Sequence, residues 1–121
     1  MIIDEYDKEY DLCTKKLIEI PLGNTKLIPM DISFGNMLLD DVDVIIKLDE
    51  DAKKLYGIDD CYNLNVKHII NNDTCELVIQ SVEPTSFITT DNNPHIGSIG
   101  TIIPKGTKIA TIKLIKKNEN N

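Results

Sequence analysis

The sequence predicts an all-β domain, a small sandwich or barrel of about eight short strands with one short helix near residues 51–56. Three observations carry this expectation. Isoleucine supplies 20 of the 121 residues and alanine only 2, a balance that suits β-branched packing on pleated surfaces rather than helical bundles. Apolar and polar residues alternate in short runs rather than at helical spacing. Clusters of Gly, Pro, Asn and Asp interrupt these runs at intervals of roughly 8 to 12 residues. The length leaves room for one domain, residues 14–117, between an acidic arm (1–13) and a polar, frayed tail (118–121). A domain of this size needs neither metal nor disulfide to fold.

The arm alternates acids with Tyr6 and Tyr10 and has no sustained apolar period, so it reads as an extension or a short helix packed on something else. Residues 14–20 form the first expected strand, with Ile18 and Ile20 on the face opposite Leu17 and Glu19. A turn follows over 21–25, where Gly23 and Asn24 tolerate positive φ. Residues 26–34 return as a hairpin partner, confined to an edge or a bulge by Pro29, which donates no ladder hydrogen bond.

The run Val42, Val44, Ile45, Ile46 and Leu48 predicts a strand buried on part of both faces. Residues 49–57 carry acids first, lysines later and a closing Gly57, the marks of a short helix that only Ala52, Leu55 and Tyr56 could pack down. Residues 62–70 and 74–82 flank the polar link Asn71-Asn-Asp73 as a hairpin, with Tyr62, Leu64 and Val66 on its core face. A brief strand over 87–90 and a turn over 91–94 lead to the last expected hairpin, Ile96–Lys116. Its turn runs over 104–107 with Gly106 as the sensitive position, and Ile99, Ile103, Ile109, Ile112 and Ile115 are its core contributions. Gly97 and Gly100 mark a bulge or a close approach of backbone.

Thirteen lysines against 20 acids give a net charge of −7, and no arginine occurs. Residues 1–60 carry 15 acids and 7 lysines (net −8), while residues 61–121 carry 5 acids and 6 lysines (net +1). Such an acidic half repels phosphate backbones, so no nucleic-acid partner is expected; solubility or a basic partner accounts for it. No apolar run approaches the ~20 residues of a membrane helix, and no membrane partner is expected. The acidic N-terminus is unlike a signal peptide, which places the protein in the cytoplasm or, if viral, in the particle. Cys13, Cys61 and Cys75 lack CxxC spacing and read as reduced thiols.

Each candidate for chemistry has a plainer reading. Cys61, His68 and Cys75 stand seven apart and could meet at zinc across a hairpin, but structural zinc takes four ligands at shorter spacings. Asp40, Asp41, Asp43, Asp49, Glu50 and Asp51 could bind calcium, yet they lack the central Gly and final Glu of an EF-hand loop. A solvated face and a helix start explain them. His95 and Ser98 could pair as base and nucleophile, but on a regular strand they point to opposite faces. No GxSxG, P-loop or GxGxxG is present. The sequence therefore assigns no catalytic, cofactor-binding or metal residue and no cofactor.

The segment Ile103-Pro-Lys-Gly-Thr-Lys-Ile-Ala-Thr-Ile-Lys-Leu-Ile115 resembles the closing strand of the dUTPase and dCTP deaminase superfamily. Ser33-Phe-Gly-Asn36 and Asp43-Val-Ile-Ile46 are similar to its early substrate-side strand. The Arg-Ser-Ser segment and the Asp-x-x-Tyr-x-Gly loop that hold phosphate and nucleoside in that family are absent. The resemblance thus implies a β-rich trimeric fold whose final strand crosses to a neighbour, without the family's catalytic activity. It also implies that Phe34, Asp43 and the Ser98 region lie near a cleft between subunits, and that any phosphate would depend on Lys105, Lys108 and a divalent ion.

The functional expectation is a non-enzymatic binding or assembly module that meets a protein partner or itself. A composition rich in Lys, Ile and Asn without Arg accompanies AT-rich genomes, and it associates such a module with phage or viral structural and accessory proteins. The alternative is a nucleotide-binding protein of dUTPase-like fold.

Overall fold

The computed structural model describes residues 1–35, 41–60, 68–70, 74–90 and 93–117, with backbone alone at 68–70, 89–90 and 93–96. The fold is all-β. In chain order the elements are β1 (Glu9–Cys13), β2 (Ile18–Pro21), β3 (Thr25–Pro29), β4 (Val42–Leu48), α1 (Glu50–Tyr56), β5 (Ile58–Asp60), β6 (His68–Ile70), β7 (Cys75–Ser81), β8 (Ser86–Thr90), β9 (Asn93–Ile103) and β10 (Lys108–Lys116). They divide among three sheets, in the orders β1-β10-β4, β2-β9-β8 and β3-β7-β5, with β6 also on β7. Every pairing between named strands is antiparallel. Among the described residues no helix is long and apolar enough to cross a membrane.

Isoleucine dominates the interior as composition implies: of the twelve largest fully buried side chains among the described residues, nine are Ile, joined by Phe34, Leu12 and Leu77. Strand β7 shows the simplest sequence-to-packing relation. Its alternation buries Cys75, Leu77, Ile79 and Ser81 and turns Glu76, Val78 and Gln80 outward. Strand β10 lies central in its sheet and breaks the period once. Leu12 pairs with Ala110 and Cys13 with Lys108, so Ile109 is an extra residue on β10. The bulge lets Ile109 and Ala110, adjacent in sequence, both face the core.

Several expectations are corrected. Residues 1–13 are not a bare arm: they supply β1, and Ile3, Tyr10 and Leu12 are buried. The single buried stripe of so short a strand is hidden in sequence by the acids that alternate with it. The strands over 14–34 do not form a hairpin, because β2 pairs with β9 and β3 with β7. Strand β4 buries one face only. Val42 is buried, Val44, Ile46 and Leu48 are half-buried, and Asp43, Ile45 and Lys47 are exposed at the sheet edge. Pro29 closes β3, which is an edge strand as its missing donor requires. The hairpin over 62–82 is present where β6 pairs with β7, while Tyr62, Leu64 and Val66 lie outside the described residues.

The helix begins at Asp49, whose carboxylate accepts from the Ala52 N–H at 3.1 Å, and ends at Gly57 in the left-handed region. Ala52 and Tyr56, four apart, form its inward stripe. Leu55 falls beside that stripe and is exposed.

Ile96–Lys116 is not a hairpin either, since β9 pairs with β2 and β8, and β10 with β1 and β4. The turn between them carries the chain from one sheet to another, so that Ile103 and Ile109 are both fully buried. Of the other isoleucines expected inside, Ile112 is buried, Ile115 is half-buried and Ile99 is exposed. The turn is fastened from outside itself. Gly106 N–H donates to the Thr14 carbonyl at 2.8 Å and Thr14 N–H to the Thr107 carbonyl at 2.9 Å. The buried Thr14 hydroxyl donates to the Pro104 carbonyl at 2.7 Å and accepts from Thr107 N–H at 3.0 Å.

Gly106 has φ +79, and a Cβ there would meet nothing within 4 Å. Gly106→Val should therefore cost about 1 to 3 kcal/mol through backbone strain alone. Lys105→Ala, at an exposed position, should leave the denaturant midpoint within a few tenths of a kcal/mol of the parent. Equal midpoints for the two variants would show that the turn tolerates a side chain at Gly106.

Candidate functional site

Cys75, Asp43 and Asp49, among the residues singled out for chemistry, are held in structural roles. Cys61 lies outside the described residues, and His68 is described in its backbone only, opposite Leu77. Cys75 is fully buried in the core, where burial pushes its thiol up to about 12. Cys13 is raised by burial first, then by Asp11 and Asp31.

A neutral thiol buried in apolar surroundings is a poor nucleophile. Native protein treated with iodoacetamide at mildly alkaline pH should leave Cys75 unmodified in a peptide map, and denatured protein should not. The sign of the linkage follows. The unfolded thiol titrates near 9 and the folded one near 12, so this group's contribution is whole below the first value and is lost as pH rises towards the second.

Among the acids, Asp40 lies outside the described residues. Asp43 pairs with Lys117 at 3.9 Å, Asp49 caps α1, and Glu50 and Asp51 occupy its first turn, where carboxylates oppose the positive helix end. Among the described residues no three His, Cys, Asp or Glu gather as a metal-binding group.

His95 and Ser98 both lie on β9. Ser98 is exposed opposite Ile88, and His95 is described in its backbone only. Of the residues placed at an inter-subunit cleft by the resemblance, Phe34 is fully buried in the core and so presents nothing to a ligand. Asp43 and Ser98 are exposed on strands of different sheets. Lys105 is exposed at its turn, whereas Lys108 is 3.3 Å from Asp11, whose hydrogen bond and charge raise the ammonium pKa.

Among the described residues, two open depressions are lined by charged side chains. One, of about 410 Å³, is lined by Met1, Lys8, Glu9, Tyr10 and Asp11. Its Lys8 is drawn to Glu5 at 3.2 Å, and the Tyr10 hydroxyl donates to Asp4 at 3.1 Å. The other, of about 250 Å³, lies between α1 and the segment after β7, where Lys53 reaches Asp59 at 3.4 Å beside Glu50 and Glu83. In each, one lysine of the lining is paired within the chain, Lys8 with Glu5 and Lys53 with Asp59 and Glu50.

The sheet β2-β9-β8 offers a different kind of surface. Its core face holds Ile18 opposite Ile103 and Ile20 opposite Thr101, all fully buried. Two residues along β9 on the same face, Ile99 is 50% exposed, and its cross-strand partner Phe87 is 62% exposed. The apolar stripe that begins as core thus ends in solvent. Leu22, whose N–H donates to the Ile99 carbonyl, adds a third exposed apolar side chain at this margin.

Both glycines of β9 mark close approaches, as the sequence implies. A Cβ on Gly97 would lie 2.5–2.6 Å from atoms of the Phe87 ring, which rests over it. A Cβ on Gly100 would run into the Ile20 carbonyl of β2. Sequence reasoning placed Ile99 in the core and gave Phe87 no role. The available signal was charge: from Thr85 to Ile103 the only ionisable side chains are Asp91 and His95. No model of a known protein family matches this chain, and no curated protein matches it at a significant level.

Proposed function

We propose that this chain is a non-enzymatic assembly module that acts by presenting a β-sheet surface to a protein, another copy included. The observation that carries the reading is the core face of the β2-β9-β8 sheet, which continues past the interior as Phe87 and Ile99. Exposed apolar groups on a rigid sheet, in a stretch almost without charge, favour contact with another protein surface over contact with a polar metabolite. A place among phage or viral structural and accessory proteins is part of the same proposal, supported by composition. The likeness of residues 103–115 to the dUTPase superfamily's closing strand supports a shared β-rich scaffold as a further element of it.

Light scattering over a broad concentration range, with a pull-down from the source extract, tests the reading. A strict monomer that retains no protein overturns it. The nucleotide-binding alternative is tested by thermal shift with nucleoside triphosphates and magnesium. At ligand a thousandfold above Kd a true binder adds about 4 kcal/mol. The assembly reading expects no rise in Tm, and a rise would replace it with the nucleotide one.

A further inference from the structure

In the β1-β10-β4 sheet, β10 covers one edge of β1, and the other edge pairs with no described strand. The depression of about 410 Å³ follows that edge. Its lining holds four successive residues, Lys8, Glu9, Tyr10 and Asp11, and no described residue of β10. Within β1, Glu9 and Asp11 point to one face of the sheet and Tyr10 to the other, so a depression bordered by all three runs beside the backbone. Met1, 63% exposed, completes the lining with apolar surface. A groove along an open strand edge is the shape that receives an extended segment, because the edge offers backbone donors and acceptors at strand spacing.

The same edge is acidic. Asp4, Glu5, Asp7, Glu9 and Asp11 are all exposed, and Lys8 is the one lysine among residues 1–11. Lys8 is turned back on its own segment, 3.2 Å from Glu5 and 5.1 Å from the centre of the Tyr10 ring. Lys108 and Lys113 stand across the ladder from Cys13 and Glu9, and with them counted the acids still number five against three. The Lys108–Asp11 pair is exposed on both sides, and surface pairs of this kind are weak enough to exchange partners. The wider field has the same sign, net −8 over residues 1–60 and −7 over the chain.

We propose that the open edge of β1 takes an extended, basic segment of a partner protein as an added strand. Glu9 and Asp11 stand two apart on one face, so the segment they favour carries Lys or Arg at alternate positions, with an apolar residue between them on the face of Tyr10. A second copy is a poor occupant. Its β1 would set Glu9 and Asp11 against like carboxylates, and two molecules of net charge −7 repel. This edge lies on a different sheet from Phe87 and Ile99, so the inference stands or falls apart from the assembly reading above.

Fluorescence anisotropy of the full chain with a labelled peptide of alternating Lys and Val tests it. The peptide should bind saturably, and more weakly as salt is added. A peptide with Glu in place of Lys should not bind. A Lys-Pro peptide of equal charge, in which every second residue lacks the N–H, should bind at least about tenfold more weakly. Glu9→Lys combined with Asp11→Lys should weaken binding by a similar factor while far-UV circular dichroism stays unchanged. Amide hydrogen exchange of the unmodified protein needs no variant: bound Lys-Val peptide should add protection at residues 8–11. Equal affinity for the Lys-Val and Lys-Pro peptides, with no added protection at 8–11, overturns the inference and leaves only a diffuse acidic attraction. Absence of binding at millimolar peptide overturns it as well. Neither result touches the Phe87 surface.

Discussion

Gly57→Ala is expected to destabilise the domain by about 3 kcal/mol or more, a loss assembled from two separate causes. Gly57 closes α1 at φ +60, where an L side chain costs about 1 to 2 kcal/mol. Its Cβ would also run into the Glu83 carbonyl oxygen and lie 3.0 Å from the Glu83 carbonyl carbon, which are backbone atoms and cannot swing aside as a side chain would. The same glycine's carbonyl accepts hydrogen bonds from Val82 N–H at 2.7 Å and Glu83 N–H at 3.1 Å, so relief of the clash pulls the helix end away from the segment after β7 to which it is tied. Gly23→Ala is the control. Gly23 has φ +83 with open space around the missing Cβ, so its loss should reflect backbone strain alone. Urea midpoints of the two variants isolate the steric part, and equal losses would mean that the Gly57–Glu83 contact relaxes without cost.

Ile112→Ala should cost about 2 to 5 kcal/mol. Ile112 is fully buried on the central strand β10, with Tyr10 of β1 opposite it on one side and Ile46 of β4 on the other. Truncation opens a cavity in the middle of a sheet, where strands held on both sides have little freedom to collapse into it. Ile45→Ala, on the outer face of β4 and 39% exposed, should lose well under half as much. Chemical denaturation of both variants checks the contrast, and comparable losses would place Ile112 in a site that repacks freely.

Much of the fold is legible in local chemistry. The acids of Glu50 and Asp51, the lysines behind them and Gly57 specify α1 almost to the residue, because a cap needs only its own short segment. Gly23 and Gly106 were readable as positive-φ turn positions for the same reason. The alternation in 74–82 and the apolar content of 108–116 likewise mark β7 and β10. Residues 9–13 illustrate the opposite case. Tyr10 and Leu12 are too few to announce a strand, and they become one because β10 offers a ladder and a buried floor.

The surface around Phe87 is the part that sequence reasoning could least reach. Ile99 and Ile103 share a strand, a residue type and, by the period of two, a face, yet Ile103 is fully buried and Ile99 is half exposed. Nothing local distinguishes them. The difference arises from where the other sheets stop, which depends on contacts between segments far apart in the chain.

The sequence by itself determined that the protein is all-β, where its helix lies, where its tightest turns fall and which residue type fills its core. These follow from backbone sterics, capping and the two-residue period, each decided within a few neighbouring residues. Only the tertiary structure decided which strands pair. The 104–107 turn, which local chemistry reads as a hairpin, instead joins two sheets. The Thr14 backbone and hydroxyl hold the turn from a segment about ninety residues away, and Ile103 and Ile109 gain more burial between sheets than strands folded back on one another would give them. Pairing is a competition among all edges in the molecule, and its outcome depends on the total area buried, a quantity that no single segment contains.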